Sequence, residues 1–183
     1  MNRGIRALAL AAILFLAHPG AVTAADVPVP VQLALFEKIW KLDRSFPPRQ
    51  EIVLAVLYQE SYEASTAAKG LVLEWGRRNK VRCAVVVMDE KDAWAALKGI
   101  EADVFYVAPM RGANIEEIAR IAKARQIRTM AGLSEYVPLG ISIGIGVRND
   151  RPLILVNLDA ARAEGAAYQA QLLQLAEIVR GRR

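Results

Sequence analysis

Glu51-Ile-Val-Leu-Ala-Val-Leu-Tyr58 contains an unbroken apolar run from Ile52 to Leu57. A strand with one face in water alternates apolar and polar residues. An unbroken run of strand length is instead buried on both faces, as in a parallel sheet covered by helices. Arg82 to Met88 and Val104 to Ala108 share the pattern, and Ile127 to Ala131 reads as a fourth strand. Helical spacing fills the gaps between them. Tyr62 to Arg78 aligns Ala64, Ala68, Leu71 and Trp75 along one face. Asp92 to Ile100 carries Trp94 and Leu97, and Ile115, Ile118, Ala119 and Ala122 recur at i, i+3, i+4, i+7, with Glu116 placed to pair with Arg120. Upstream, Val31 to Leu42 sets Leu35, Ile39 and Leu42 on one side, broadened by Phe36 and Trp40, before Pro47-Pro48 stops any helix. The alternation predicts an α/β fold: a three-layer, mostly parallel doubly wound sheet with right-handed crossovers and strand order 2-1-3-4.

The last third changes character. Gly140-Ile-Ser-Ile-Gly-Ile-Gly-Val147 alternates strictly, Arg148-Asn-Asp-Arg151 is a turn suited to positive φ, and Pro152 to Leu158 returns as the antiparallel arm of a hairpin. Asp159 is expected to cap a short helix ending near Gly165, and Tyr168 to Arg180 to form a terminal helix with Leu172, Leu173, Leu175, Ala176 and Val179 on its apolar side. Gly140, Gly144 and Gly146 do not make a dinucleotide fingerprint, which sits between a strand and a helix; here they lie within a strand. One face of that strand has nothing larger than Ser142, which predicts close approach by the protein's own helix in preference to a ligand.

Residues 1–25 have the parts of a secretory signal peptide: Arg3 and Arg6, an apolar stretch from Ala7 to Ala17, a break at His18-Pro19-Gly20, and small residues Val22-Thr23-Ala24 before the expected cleavage. The apolar stretch is short of the roughly 20 residues a stable transmembrane helix needs, although an uncleaved anchor stays open as the alternative. Cleavage would leave one domain, residues 26–183, in the periplasm, and would remove His18, the chain's single histidine.

That loss narrows the chemistry. Ser61, Ser65 and Ser134 have no imidazole to activate them, and nothing in the sequence argues for a dyad with Lys69. One cysteine and no spaced acidic ligand set give no metal site and no cofactor. Cys83 cannot form an internal disulfide and reads as a small buried hydrophobe inside its apolar run. Of 24 Lys+Arg against 19 Asp+Glu, the only basic cluster is Arg180-Gly-Arg182-Arg183, which offers no nucleic-acid face. What stays is a binding crevice. In an open α/β sheet ligands meet the carboxyl ends of the strands where strand order reverses, here between the first and third strands. Gln59, Glu60 and Ser61 follow the first strand, Asp89 the second, Met110 and Arg111 the third, and Ser134 and Tyr136 the fourth. These eight are the candidate site; the competing reading makes each a cap or a solvated loop residue.

The C-terminal block carries a resemblance. Glu135-Tyr-Val-Pro-Leu-Gly-Ile-Ser-Ile-Gly-Ile-Gly-Val147, then Pro152-Leu-Ile-Leu-Val-Asn-Leu158, Ala161, Glu164-Gly165 and Gln171-Leu-Leu-Gln-Leu-Ala176, with Val104-Phe-Tyr-Val-Ala-Pro-Met110 upstream, resembles the YfiR-like family of periplasmic proteins. The resemblance implies a non-enzymatic regulator that docks on the periplasmic sensor domain of a membrane signalling protein such as a diguanylate cyclase. A homodimer and a small ligand stay open as partners. The family's repressors carry several cysteines, so redox sensing through an internal disulfide does not transfer to a chain with Cys83 alone. The alternative is a small periplasmic solute-binding protein serving a transporter or sensor, since the chain also resembles one lobe of a two-lobed binding fold.

Overall fold

The computed structural model describes residues 27–46 and 51–181. The signal-peptide reading, the cleavage point, Pro47-Pro48 and Arg182-Arg183 lie outside them. Fourteen elements run in the order α1 (Val29–Lys41), β1 (Val53–Tyr58), α2 (Glu63–Asn79), β2 (Arg82–Val87), α3 (Ala93–Gly99), β3 (Val104–Val107), α4 (Ile115–Arg125), β4 (Arg128–Ala131), a 3-10 helix (Ser134–Leu139), β5 (Ile143–Arg148), β6 (Arg151–Asn157), α5 (Leu158–Ala163), α6 (Ala170–Leu175) and β7 (Ala176–Val179). The strands form a single sheet in the order β2-β1-β3-β4-β5-β6-β7, antiparallel only between β5 and β6. The expected 2-1-3-4 order stands, with three further strands added beyond β4.

Two apolar clusters sandwich the sheet. One joins α1 and α2 to the sheet through Phe36, Ile39, Trp40, Val72, Val56 and Tyr106. The other joins α3 and α4 to the opposite face through Leu97, Ile118, Phe105, Val107 and Ile141. β1 and β3 alternate between the two clusters, so each needs an apolar residue at every position; that is the physical source of their unbroken runs. Tyr106 buries its phenol on the α1 side, where its hydroxyl donates to Gln32 Oε1 at 3.2 Å.

Both exposed turns and crowded ones follow the chain chemistry. Asn149 and Asp150 take φ of 50° and 57°, as the hairpin reading requires. The glycine face of β5 lies against the 3-10 helix: a Cβ at Gly144 would sit 2.5 Å from Val137 Cγ2 and 3.3 Å from Ser134 Cα. The expected close approach is therefore made by the protein's own helix.

Four readings are corrected. The terminal helix from Tyr168 to Arg180 is replaced by the short α6 and then β7, which pairs parallel with β6 from Ile154↔Ala176 to Asn157↔Val179. The open edge of β6 recruits a strand, and that tertiary pairing overrides the helical spacing of the leucines. α5 is capped by Asn157, whose side chain accepts from Ala160 N–H, and not by Asp159. Arg120 pairs with Glu117 one turn back, at 2.5 Å, in place of Glu116. β2 is not buried on both faces: it is an outer strand, Val85 is 47% exposed, and Cys83 is half-buried, packed where a Cβ on Gly76 would collide with its sulfur.

Candidate functional site

The strand order reverses between β1 and β3, and the loops leaving these strands are tied together. Gln59 follows β1 directly. Its Oε1 accepts from Arg111 N–H at 2.7 Å and its Nε2 donates to Arg111 O at 2.9 Å. One amide side chain thus mimics a strand neighbour for the backbone after β3. Gln59 is itself fixed by its own N–H, which donates to the buried Ser65 Oγ at 2.9 Å.

A second tie runs to β2. Asp89 accepts from Glu60 N–H at 3.0 Å and from Ser61 N–H at 2.9 Å, so the loop entering α2 closes on a carboxylate. The Ser61 hydroxyl, then the Ser61 and Glu60 amides, favour the charged form and hold this exposed carboxyl down at about 2.

A third tie runs from the 3-10 helix. Tyr136 Oη accepts from Met110 N–H at 2.9 Å and donates to Met110 O at 3.0 Å. Tyr136 and Met110 are both buried, and desolvation pushes the phenol above its ordinary value. Arg111 is exposed, its guanidinium 4.3 Å from the centre of the Tyr62 ring, and Gly112 beyond it takes φ of +62°, a turn that favours glycine.

Of the eight candidate residues, seven meet through these ties: Gln59, Glu60, Ser61, Asp89, Met110, Arg111 and Tyr136. Ser134 does not join them. It starts the 3-10 helix and packs under Gly144 and Gly146 of β5. The assembled groups satisfy each other's hydrogen bonds, so they form a braced rim with Glu60, Ser61, Asp89 and Arg111 exposed. Three clefts lie elsewhere. One, of about 550 Å³, is lined at the opposite strand ends by Arg82, Glu101, Arg125 and Arg128. Another, of about 570 Å³, lies between α4 and the C-terminal segment, with Arg120, Lys123, Asp159 and Arg180. A third, of about 470 Å³, has walls of Trp40, Phe46 and Trp75. None of these linings includes any of the eight.

Sequence reasoning missed a buried polar cluster between β4 and the C-terminal end of α5. Glu164, 1% exposed, accepts from Thr129 N–H at 2.9 Å and from Thr129 Oγ1 at 2.6 Å. Thr129 and Ser142 bond to each other across β4 and the start of β5. Burial pushes the Glu164 carboxyl up to about 8, against the pull of the Thr129 and Ser142 bonds and of Arg128. Beside it Asp43 holds the segment after α5: it accepts from Ala167 N–H at 2.9 Å and pairs with Arg128 at 3.2 Å. Burial alone would raise Asp43; its bonds from Ser45 and Ala167, with Arg128, outweigh that and lower it. Nothing in the local sequence marks Glu164 as buried, because a glutamate closing a short helix before Gly165 has the pattern of a solvated residue.

Among the described residues no group of three or more His, Cys, Asp or Glu is placed to hold a metal ion, and no helix is long and apolar enough to cross a membrane.

Comparison with known proteins bears on the whole arrangement. The family model described as YfiR/HmsC-like matches residues 41–177. No curated protein matches the chain. Among solved structures, a substrate binding protein with adhesive properties from Clostridium difficile, CD0873, in its ligand-free, open form, is similar over 86% of this chain and 61% of its own, at 18% identity and TM-score 0.68. A conserved domain protein from Vibrio cholerae O1 biovar El Tor is similar over 82% and 60%, at 14% identity and TM-score 0.65. An ABC domain from Streptococcus pneumonia in complex with L-Trp is similar over 83% and 60%, at 11% and 0.65. At these identities the likeness is one of fold, and the chain spans about 60% of the length of each.

Proposed function

The chain belongs to the YfiR/HmsC-like family, and from that premise we propose that it is an exported, non-enzymatic regulatory protein of the periplasm. It docks on the periplasmic domain of a membrane signalling protein, such as a diguanylate cyclase, and shifts that receptor between two states. Occupancy is the whole mechanism: the bound protein stabilises whichever receptor state it fits better, by the difference in affinity between the two.

The observation that carries this reading is the pair of hydrogen bonds between Gln59 and the Arg111 backbone. They lock the switch point shut, and the Asp89 and Tyr136 ties brace it on both sides. A crevice built for a small ligand leaves polar groups free to meet it. A rim whose backbone is already satisfied suits a macromolecular partner, because little ordering entropy is lost when a rigid surface docks. Glu60, Ser61, Asp89 and Arg111 are the exposed residues of that rim.

The test is a binding titration between the purified protein and the periplasmic domains of the membrane diguanylate cyclases of the same cell. Saturable binding, weakened at least tenfold by Arg111→Glu with unchanged thermal stability, supports docking at the rim. Absence of any complex at about 100 µM, an affinity of only some 5 kcal/mol, overturns it.

A second reading is favoured by the structural neighbours, one a substrate binding protein and another in complex with L-Trp. In that reading the protein carries a small solute to a transporter or sensor. A stoichiometric small molecule released on denaturing the purified protein, with no affinity for any of those periplasmic domains, would select it.

A further inference from the structure

We propose that the corner where α2 turns into β2 is a docking surface for an anionic phospholipid bilayer, with Arg77, Arg78, Lys80 and Arg82 meeting the phosphate headgroups. The proposal goes beyond receptor docking, and its test needs no receptor.

Sequence reasoning missed a basic cluster besides the tail. Arg77-Arg78-Asn79-Lys80-Val81-Arg82 holds four cations in six residues and no acid. The fold keeps them together. Lys80 ends α2 in the left-handed region at φ 57°, Val81 N–H donates back to Gly76 O at 2.9 Å, and the Asn79 side chain donates to Trp75 O at 2.9 Å. The chain doubles back within this turn, and β2 starts at Arg82. All four cations are exposed. Arg78 is paired with Glu74 one turn back on α2, whereas Arg77, Lys80 and Arg82 have no carboxylate partner among the described residues. Cations in the last turn of a helix complement its dipole, which accounts for Arg77 and Arg78. Lys80 and Arg82 lie past the last helical residue, Asn79, and the dipole does not account for them.

An aromatic groove opens against the same turn. The cleft of about 470 Å³ walled by Trp40, Phe46 and Trp75 is also lined by Asn79 and Val81. A half-buried indole beside ammonium and guanidinium groups suits the headgroup layer: the ring takes the boundary between hydrocarbon and water, and the cations take the phosphates. An acidic protein face would use the cations and leave the groove without a role.

Charge also selects how the protein sits. Asp89, Glu90 and Asp92 follow the far end of β2, with Lys91 the one cation among them. β2 is six residues long, so its two ends are roughly 20 Å apart, more than two Debye lengths at physiological salt. An anionic surface attracts the Arg82 end and repels the Asp89 end. Bound this way, the docking rim points away from the lipid and stays free for a receptor.

The experiment is co-sedimentation of the purified protein with vesicles of phosphatidylcholine, alone or with about one-third phosphatidylglycerol. At about 100 mM salt, where the Debye length is about 10 Å, the protein is expected on the anionic vesicles and not on the neutral ones; about 1 M salt, where that length is about 3 Å, should release it. A cation at an anionic surface is worth about 1 kcal/mol, or about fivefold in partitioning. Lys80→Gln should therefore weaken binding about fivefold, and the triple variant Arg77→Gln, Lys80→Gln, Arg82→Gln about a hundredfold. Circular dichroism should be unchanged, because all three side chains are exposed. Arg151→Gln removes the same charge as Lys80→Gln, but from the β5–β6 turn, which the parallel β4–β5 pairing places at the rim end of the sheet. It should leave binding within about twofold. Absence from the anionic vesicles, equal binding to both kinds, or binding that the triple variant retains overturns the proposal. So does a protein that ignores vesicles while Lys80→Gln weakens its complex with a cyclase's periplasmic domain, the result an acidic protein partner would give.

Discussion

Glu164→Gln should convert a protein whose stability falls between pH 5 and 8 into one whose stability is nearly flat there. Glu164 is 1% exposed, and its carboxyl is pushed by burial from 4.5 up to about 8. Between those values the folded chain holds a proton that the unfolded chain has released. The Glu164 contribution is therefore complete below pH 4.5, declines as pH rises through the window, and is gone above about 8. At 1.36 kcal/mol per unit of displacement the decline amounts to at most about 5 kcal/mol, which for a domain of this size is a fall in Tm on the order of 10 °C. Gln keeps the shape and cannot ionise. Its amide oxygen can take the bond from Thr129 N–H, and the Thr129 hydroxyl, which already accepts from Ser142 N–H at 2.8 Å, can turn its remaining lone pair toward the new NH₂. Urea unfolding of both proteins from pH 5 to 8.5 reads the difference directly. Depressed carboxylates such as Asp43 act at lower pH and cancel in the comparison. Parallel stability curves for the two proteins across that range would refute the reasoning.

Three further outcomes are expected. Gly144→Ala drives a methyl against Val137 Cγ2 and the Ser134 backbone and should cost about 1–3 kcal/mol, read as a lower urea midpoint with an unchanged slope. Asn157→Ala removes both the bond to Val137 O at 3.0 Å and the cap on Ala160 N–H, and a loss of about 2–3 kcal/mol should appear in the same assay. Gln59→Ala releases the Arg111 backbone at little global cost, about 1 kcal/mol, so the Arg111 amide should exchange with solvent much faster while the β1 and β3 amides stay protected.

The parallel half of the fold was legible because β1 and β3 face apolar clusters on both sides, and only an unbroken apolar run can meet that demand. Gly144 and Gly146 were equally informative: a strand face without side chains must meet something close, and the 3-10 helix from Ser134 fills it. The C-terminal end was misread for a definable reason. Leu172, Leu173 and Leu175 have helical spacing, but the free edge of β6 supplies ladder partners that turn Ala176–Val179 into a strand. Local sequence carries no record of which backbone groups are left unpaired elsewhere.

At the candidate site, the strand-end rule gathered seven of eight residues without any motif to guide it. Their mutual engagement was not legible. Whether Gln59 meets a ligand or the Arg111 backbone depends on loop paths that differ by a few ångströms. Glu164 was hidden for the opposite reason: its surroundings come from β4, through Thr129, and from Ser142 just before β5. Charge alone would place it in water.

Hydrogen-exchange footprinting of the protein, free and mixed with the periplasmic domain of a membrane diguanylate cyclase from the same cell, tests the docking account most directly. The account predicts new protection at residues 59–63 and 109–112, where the loops after β1 and β3 form the rim, with the opposite strand ends unchanged. Protection confined to those opposite ends, around residues 101–103 and 125–128, would contradict it.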